Sequence, residues 1–332
     1  MRRRSFLALA AVPAIGLRAA RAQDDADPAT SSGRPSLRVL LGPGEAQALS
    51  TDTFTYNGRA YRGTFARLPD GRVVNLVTLE AYLYGVVAHE MSSGWPPAAL
   101  CAQAICARTY VLARSDPRHA YDLVPSELDQ VYDGIMAESA AGNAAVDATA
   151  AQVLSFGRNV AQVAYSSCCG GHTESSAEAW GSAPLPYLSG VVCPYCTASP
   201  NYRWTASLSI GSIAAAFPAL LAPLGTLWDV HVVARDASGR ARSFELVADR
   251  GSAAVRGSNF RLAVGARTLR SLLVSDARKD AAANAIAFAG GGLGHGVGLC
   301  QWGARGMALA GSSAAQILAL YFPGATVQNS GR

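Results

Sequence analysis

The stretch from Tyr82 to Tyr110, YLYGVVAHEMSSGWPPAALCAQAICARTY, decides how this chain is read. Leu79, just ahead of it, with Leu83, Val86 and Val87, forms an apolar side that predicts a helix over 79–91. Pro96 and Pro97 suit the first turn of a second helix, where a missing amide donor costs nothing. Leu100, Ala104, Ala107 and Val111 extend that helix to about residue 113 at three- and four-residue spacing. Glu90 falls at the close of the first helix, beside Met91 and near Trp95. A carboxyl in apolar surroundings is held towards its neutral form, as a general acid working near neutral pH requires. The alternative is a helix-end glutamate pointing to water, with Trp95 filling the core. His89-Glu90 is not part of a zinc-protease motif, because position 93 is Ser where a second histidine is needed.

Upstream of this pair, short β-like stretches at 37–41 and 54–68 are broken by Asn57-Gly58 and Asp70-Gly71, both hairpin turns. Residues 72–77 read as a further strand. Downstream, 137–149 reads as a helix, and 152–156 with 159–165 as a hairpin about Gly157-Arg158. Strands are predicted at 204–208, 227–234 and 244–247, with more β pattern at 259–262. A helix is predicted over 210–221, and two short ones over 301–310 and 313–321. Helices are grouped and do not alternate strictly with strands, so the class is α+β.

Two loops carry further chemistry. Ser166-Ser167-Cys168-Cys169-Gly170-Gly171-His172-Thr173-Glu174 is followed by Trp180-Gly181 and Cys193-Pro194-Tyr195-Cys196. Cys169, His172, Cys193 and Cys196 form two ligand pairs with the spacing of a tetrahedral structural zinc site. Cys168 is an alternative ligand or a spare thiol. In an exported protein the competing reading is a disulfide, for instance from Cys169 to Cys193 or Cys196. Cys101, Cys106 and Cys300 stand in apolar or small-residue contexts and read as buried small hydrophobes. In the second loop, Gly291-Gly292-Leu293-Gly294-His295-Gly296-Val297-Gly298, the glycines imply close backbone approach or positive φ. It lacks the Gly-Lys-Ser/Thr of a phosphate loop. His295 is a candidate to hydrogen-bond a sugar or a carboxyl; the alternative is a histidine satisfying a buried carbonyl.

The amino terminus has the layout of a cleavable leader. Arg2, Arg3 and Arg4 precede a mostly apolar run from Phe6 to Leu17, and Ala20-Arg21-Ala22 is a small-x-small cleavage site. Arg3-Arg4-Ser5-Phe6-Leu7 also fits the twin-arginine form, which addresses export of folded proteins. The expected organisation is a leader over 1–22, a flexible spacer over 23–34, one domain over 35–328 and a tail over 329–332. The net charge of +5 owes much to the leader. The rest is nearly neutral, with no Lys/Arg block interleaved with aromatics, so nucleic acid is not an expected partner. No later segment has the apolar length of a membrane span.

Taken together, these segments resemble the SpoIID/LytB domain family. The resemblance rests on Tyr82 to Tyr110, on Gly170 to Val191, on Gly294-His295-Gly296-Val297-Gly298 with Gln301-Trp302-Gly303-Ala304, and on Tyr321-Phe322-Pro323-Gly324. Trp204, Gly239-Arg240, Arg256-Gly257 and Phe260-Arg261 are similar to intervening landmarks. Departures are few: Ser92 stands where Pro is common, and Leu299-Cys300 where Met-Ser is usual. The resemblance implies a mixed fold with antiparallel strands and long Gly-rich loops forming a glycan cleft. It also implies lytic cleavage of the MurNAc–GlcNAc bond of peptidoglycan, with a 1,6-anhydro product and a preference for peptide-free strands. Glu90 and His295 take the catalytic positions, and some members bind zinc through Cys and His near the middle motif. Trp95, Tyr110, Trp180 and Trp302 are candidate sugar platforms, and Gln103, Arg108, Glu174 and Gln301 candidate polar contacts. Other members are amidase enhancers, so the implied alternative is a non-catalytic peptidoglycan-binding partner of a cell-wall amidase, periplasmic or wall-associated.

Overall fold

A computed structural model describes residues 36–330. The leader and the spacer lie outside the described residues. The chain divides into two compact units, one reaching Ala164 and resuming at Met307, the other running from Tyr165 to Gly306.

The first unit begins with β1 (Ser36–Gly42), β2 (Ala46–Ala48), β3 (Thr53–Tyr56), β4 (Arg59–Arg62), β5 (Thr64–Arg67) and β6 (Val73–Thr78). β6 is central in an antiparallel β1-β6-β5 sheet, and β2-β3-β4 form a second antiparallel sheet. Asn57 at φ 48° and Gly58 at φ 77° make the tight β3–β4 turn, as Asn-Gly does in hairpins. Helices α1 (Leu79–Glu90) and α2 (Pro97–Arg114) follow. Thr78 caps α1 by accepting from the amide of Ala81, which satisfies one of the donors left over at a helix start. Leu83, Val86, Val87, Leu100, Ala104 and Ala107 are all buried. Next come α3 (Ala140–Ala148), β7 (Gln152–Phe156) and β8 (Asn159–Val160).

The second unit opens with β9 (Tyr165–Ser166) and α4 (Ser176–Trp180), then β10 (Trp204–Ser209), α5 (Ile210–Ala216) and α6 (Pro218–Leu221). The single helix expected over 210–221 is thus two. Pro218 disfavours helical backbone at Phe217 before it, which sits at φ −132°. β11 (Leu227–Arg235), β12 (Ala241–Ala248) and β13 (Gly251–Arg256) form an antiparallel meander, followed by α7 (Gly257–Val264). The β pattern expected at 259–262 is incorrect, since these residues lie inside α7. Phe260 drives this, fully buried and stacked 4.2 Å from the Phe244 ring. β14 (Val274–Asp280) and β15 (Ala285–Gly290) complete an antiparallel β10-β15-β14 sheet. β16 (Leu299–Cys300) pairs in parallel with β9, and α8 (Gln301–Leu309) leads out.

Back in the first unit, α9 (Ala314–Tyr321) starts on a capping box between Ser313 and Gln316. β17 (Thr326–Asn329) pairs with β7, so ladder structure continues into the segment expected to be tail. Residues 159–165, read as one strand, are divided: β8 pairs with β7, and β9 pairs with β16. The observed class is a mixed α/β fold with grouped helices and antiparallel sheets. Among the described residues, no helix is long and apolar enough to cross a membrane.

Candidate functional site

In the first unit the Tyr82–Tyr110 segment places its candidate residues on two helices. Glu90 is the last residue of α1 and is half-buried. Burial first, then the charge of Glu90, pushes the Cys106 thiol up. Among the weaker causes, the same charge acts on the Tyr82 and Tyr110 hydroxyls. Glu90 therefore stands near α2. Trp95 is half-buried at the turn between the helices. Gln103 is fully buried, with neither side-chain atom paired among the described residues.

Arg108 is equally buried, and every contact it makes holds structure together. Its Nε donates to Glu80 Oε1 at 2.9 Å, its Nη1 to the carbonyl of Gln152 at 3.1 Å and its Nη2 to that of Val146 at 3.2 Å. It thus joins α2 to α1, α3 and β7. Tyr110 is only 7% exposed; it bonds to Asp129, and the Arg114 guanidinium lies 4.6 Å from its ring centre. Arg108 and Tyr110 therefore present little free surface to a ligand.

In the second unit, Cys169, Cys193, Cys196 and Cys300 are buried with their sulfurs all within 4.8 Å of one another. His172 is not among them; its Nδ1 lies 2.6 Å from the carbonyl of Thr173. None of the cysteines is joined in a disulfide, and the Sγ atoms of Cys169 and Cys196 are 3.7 Å apart. Four thiolates around a tetrahedral zinc at ~2.3 Å stand about 3.8 Å apart, so this geometry is consistent with a structural metal site. The amides of Cys169 and Gly303 point at Cys300 Sγ, at 3.2 and 3.3 Å. Such donors suit a charged thiolate.

The cysteine loop and the Gly-rich loop meet backbone to backbone. Cys168 and Leu293 exchange amide bonds, and a Cβ on Gly292 would lie 2.7 Å from the Cys168 carbonyl oxygen. Gly292, Gly294, Gly296 and Gly298 all have φ between 71° and 103°, a region open mainly to glycine. Between them sits His295. The Val297 amide donates to its Nδ1 at 2.9 Å, which leaves the proton on Nε2. Burial, then the Arg261 charge, pushes its pKa down to about 3. His295 is therefore a neutral N–H donor. Its Nε2 is buried, the backbone of Tyr165 is a hydrogen-bonding neighbour that partly offsets this shift, and the Trp180 ring packs 5.5 Å from the imidazole.

Glu174 is the enclosed carboxyl of this unit. It is 4% exposed, and burial, then a hydrogen bond with Asp236, raises it to about 7 despite Arg240. Its Oε2 lies 2.9 Å from Ser238 Oγ, which is also 2.6 Å from Asp236 Oδ1 and accepts from Arg240 Nη1 at 2.9 Å. One hydroxyl carries one proton, so Ser238 donates to one carboxyl and accepts at the other. A proton on Glu174 completes the set. Gln301 is buried, whereas Trp302 is half-buried with the Arg305 guanidinium 5.3 Å from its ring centre. Cys300, expected to be only a buried small hydrophobe, is the fourth member of the cluster, and no local motif marked Asp236 or Ser238. Cys300 joins Cys193 across more than a hundred residues, which no local spacing reports.

A family model described as "Stage II sporulation protein" (SpoIID) matches residues 70–156. A second, described as "Domain of unknown function (DUF8618)", matches 195–298. An uncharacterized protein of Brachyspira hyodysenteriae is 33% identical over 287 residues, covering 85% of this chain and 76% of that protein. The amidase enhancer of Bacillus subtilis is 29% identical over 294 residues, covering 74% of this chain but 40% of the enhancer. Stage II sporulation protein D of Bacillus subtilis is 26% identical over 310 residues, 86% of either chain. With this likeness running through both units, the chain belongs to the SpoIID/amidase-enhancer family of stage II sporulation proteins.

Proposed function

We propose that this chain is an exported cell-wall protein that binds peptidoglycan glycan strands and promotes their breakdown in concert with an amidase. The observation that carries this is the likeness to the amidase enhancer along 74% of the chain. Half-buried Trp95, Trp180 and Trp302 support it, since an aromatic ring with one face in water stacks on a sugar ring. In the second unit, Trp180 and the N–H of His295 form part of the glycan cleft. Zinc held by Cys169, Cys193, Cys196 and Cys300 supplies order, not chemistry. Export by the twin-arginine route fits this arrangement, because thiolates folding in a reducing cytoplasm capture metal before they oxidise.

A second reading, lytic transglycosylase activity, is favoured by the half-buried position of Glu90 at the end of α1, close enough for its charge to act on the buried Cys106 thiol of α2. In that reaction the protonated carboxyl gives its proton to the glycosidic oxygen as the C1–O bond breaks. The C6 hydroxyl closes onto C1, and its proton returns to Glu90. An internal nucleophile removes the need for the water-activating carboxylate of ordinary glycosidases.

One experiment separates the readings. Purified protein is incubated with sacculi and with peptide-free strands, with and without a purified wall amidase, and products are read by mass spectrometry. The lead reading expects sedimentation with sacculi and faster amidase turnover, both unchanged in Glu90→Gln. Failure to sediment with sacculi defeats it. Anhydro product made by the wild type, and reduced roughly 10²–10⁴-fold in Glu90→Gln, establishes the second reading.

A further inference from the structure

Arg240 is 1% exposed, and its sequence marks it as a landmark after Gly239 without assigning it a role. Its amide donates to Asp236 Oδ1 at 3.0 Å, and its carbonyl accepts from the Asp236 amide, which fixes its backbone at the neck of the β11–β12 turn. From there the side chain reaches both functional loops of the second unit. Nη2 donates to the carbonyl of Cys169 at 2.9 Å, and Nη1 to that of His172 at 3.0 Å. One guanidinium thus brackets the loop that begins with a cluster cysteine. The Nε edge lies 3.9 Å from Glu174 Oε2.

The guanidinium also bears on the Gly-rich loop. A Cβ on Gly296 would fall 2.2 Å from Nη2 and 2.7 Å from Cζ, so the absent side chain is what lets the two approach. Gly296 separates His295 from Val297, whose amide sets the imidazole tautomer, and its carbonyl accepts from the Glu174 amide at 2.9 Å. Fixed donors spread in one plane meet two carbonyls that a lysine ammonium meets only singly.

We propose that Arg240 is a positioning residue that couples the four-cysteine cluster to the orientation of His295, so that metal occupancy sets the direction of the imidazole N–H. The inference rests on the metal reading given above, and it adds a route from the cluster to a residue that holds no metal. Partners just outside a metal shell typically govern affinity by 10–100-fold, and Arg240 holds the backbone of a ligand cysteine.

The test uses the full chain, with zinc(II) as the probe. Zinc release to a chromogenic chelator and the ring ¹⁵N signals of His295 are recorded for the wild type, Arg240→Gln and Arg240→Lys, with and without zinc. The wild type is expected to shift its His295 signals when zinc is removed. Arg240→Gln is expected to release zinc about 10–100-fold faster and to show His295 signals indifferent to zinc. Arg240→Lys keeps the charge without the fork; it is expected to lie between the two and stands in if Arg240→Gln does not fold. A folded variant with wild-type release and wild-type zinc response overturns the proposal. A wild type that takes up no zinc overturns the metal reading and the coupling together. In that case His295 signals that still differ between the metal-free wild type and Arg240→Gln show that Arg240 positions the imidazole without any link to a metal.

Discussion

The two units hold their candidate chemistry in opposite ways. In the first, Glu90, Gln103, Arg108 and Tyr110 ride on paired helices whose apolar sides fix them in place. In the second, Glu174, His295 and the cysteines sit on loops held by backbone contacts, glycines and a buried arginine. The carboxyls show the contrast most clearly: Glu90 is half-buried at a helix end, whereas Glu174 is enclosed and raised to about 7. A helix places a residue through periodicity, so the sequence reports it. A loop site is assembled by distant partners, and its electrostatics emerge only in three dimensions.

The sharpest test of that contrast is at the cysteine cluster. Cys300→Ser is expected to abolish stoichiometric zinc, measured by elemental analysis, while His172→Ala retains it. Structural zinc contributes on the order of 10 kcal/mol in small metal-folded peptides. Losing even a few kcal/mol here lowers the melting temperature on the order of 10 °C, read by calorimetry. Retained zinc in Cys300→Ser would break the cluster assignment.

On the helical side, Arg108→Met is expected to destabilise the chain by about 2 kcal/mol, because it leaves the carbonyls of Val146 and Gln152 without their donor. Chemical denaturation measures this. Wild-type stability with lost glycan binding would show instead that Arg108 serves the ligand.

Much of the first unit was legible for the reason its helices are stable. Leu83, Val86 and Val87 lie on one side, and Pro96-Pro97 marks where α2 can start. The second unit misled in two places. Asn259-Phe260-Arg261-Leu262 alternates polar and apolar like a strand, yet Phe260 stacks on Phe244 from within a helix. Cys169 and His172 carry ligand spacing, but the fourth sulfur comes from Cys300, delivered by the β9–β16 pairing. The enclosure of Glu174 was also invisible in the sequence, because its partners, Asp236 and Ser238, lie more than sixty residues on.

A pH series sharpens the carboxyl comparison. Glu174 titrates near 4.5 unfolded and about 7 folded, so the folded state holds the extra proton between those values. Stability from this group is complete below about 4.5 and is lost as pH rises to 7. It amounts to on the order of 3 kcal/mol. Asp236 is held below its ordinary value, its burial outweighed by hydrogen bonds with Glu174 and Ser238; its contribution fades only in more acidic solution. Melting temperature against pH checks this, and Glu174→Gln should flatten the slope between 4.5 and 7. An unchanged slope would remove the proton from Glu174. The smallest effect is expected at Thr78→Ala, about 0.5 kcal/mol from the α1 cap, in the same denaturation experiment and with no change in zinc content.

The pairing of β17 with β7 has a consequence for how the protein is made. These strands lie about 170 residues apart, and the whole second unit is synthesised between them. Contacts so far apart in the chain form slowly, and domains emerging first tend to fold first. The chain of the cysteine unit is therefore made in full before its neighbour receives the last strand of its sheet. Maturation of the helix-bearing unit is then the late event, gated by arrival of residues 326–329.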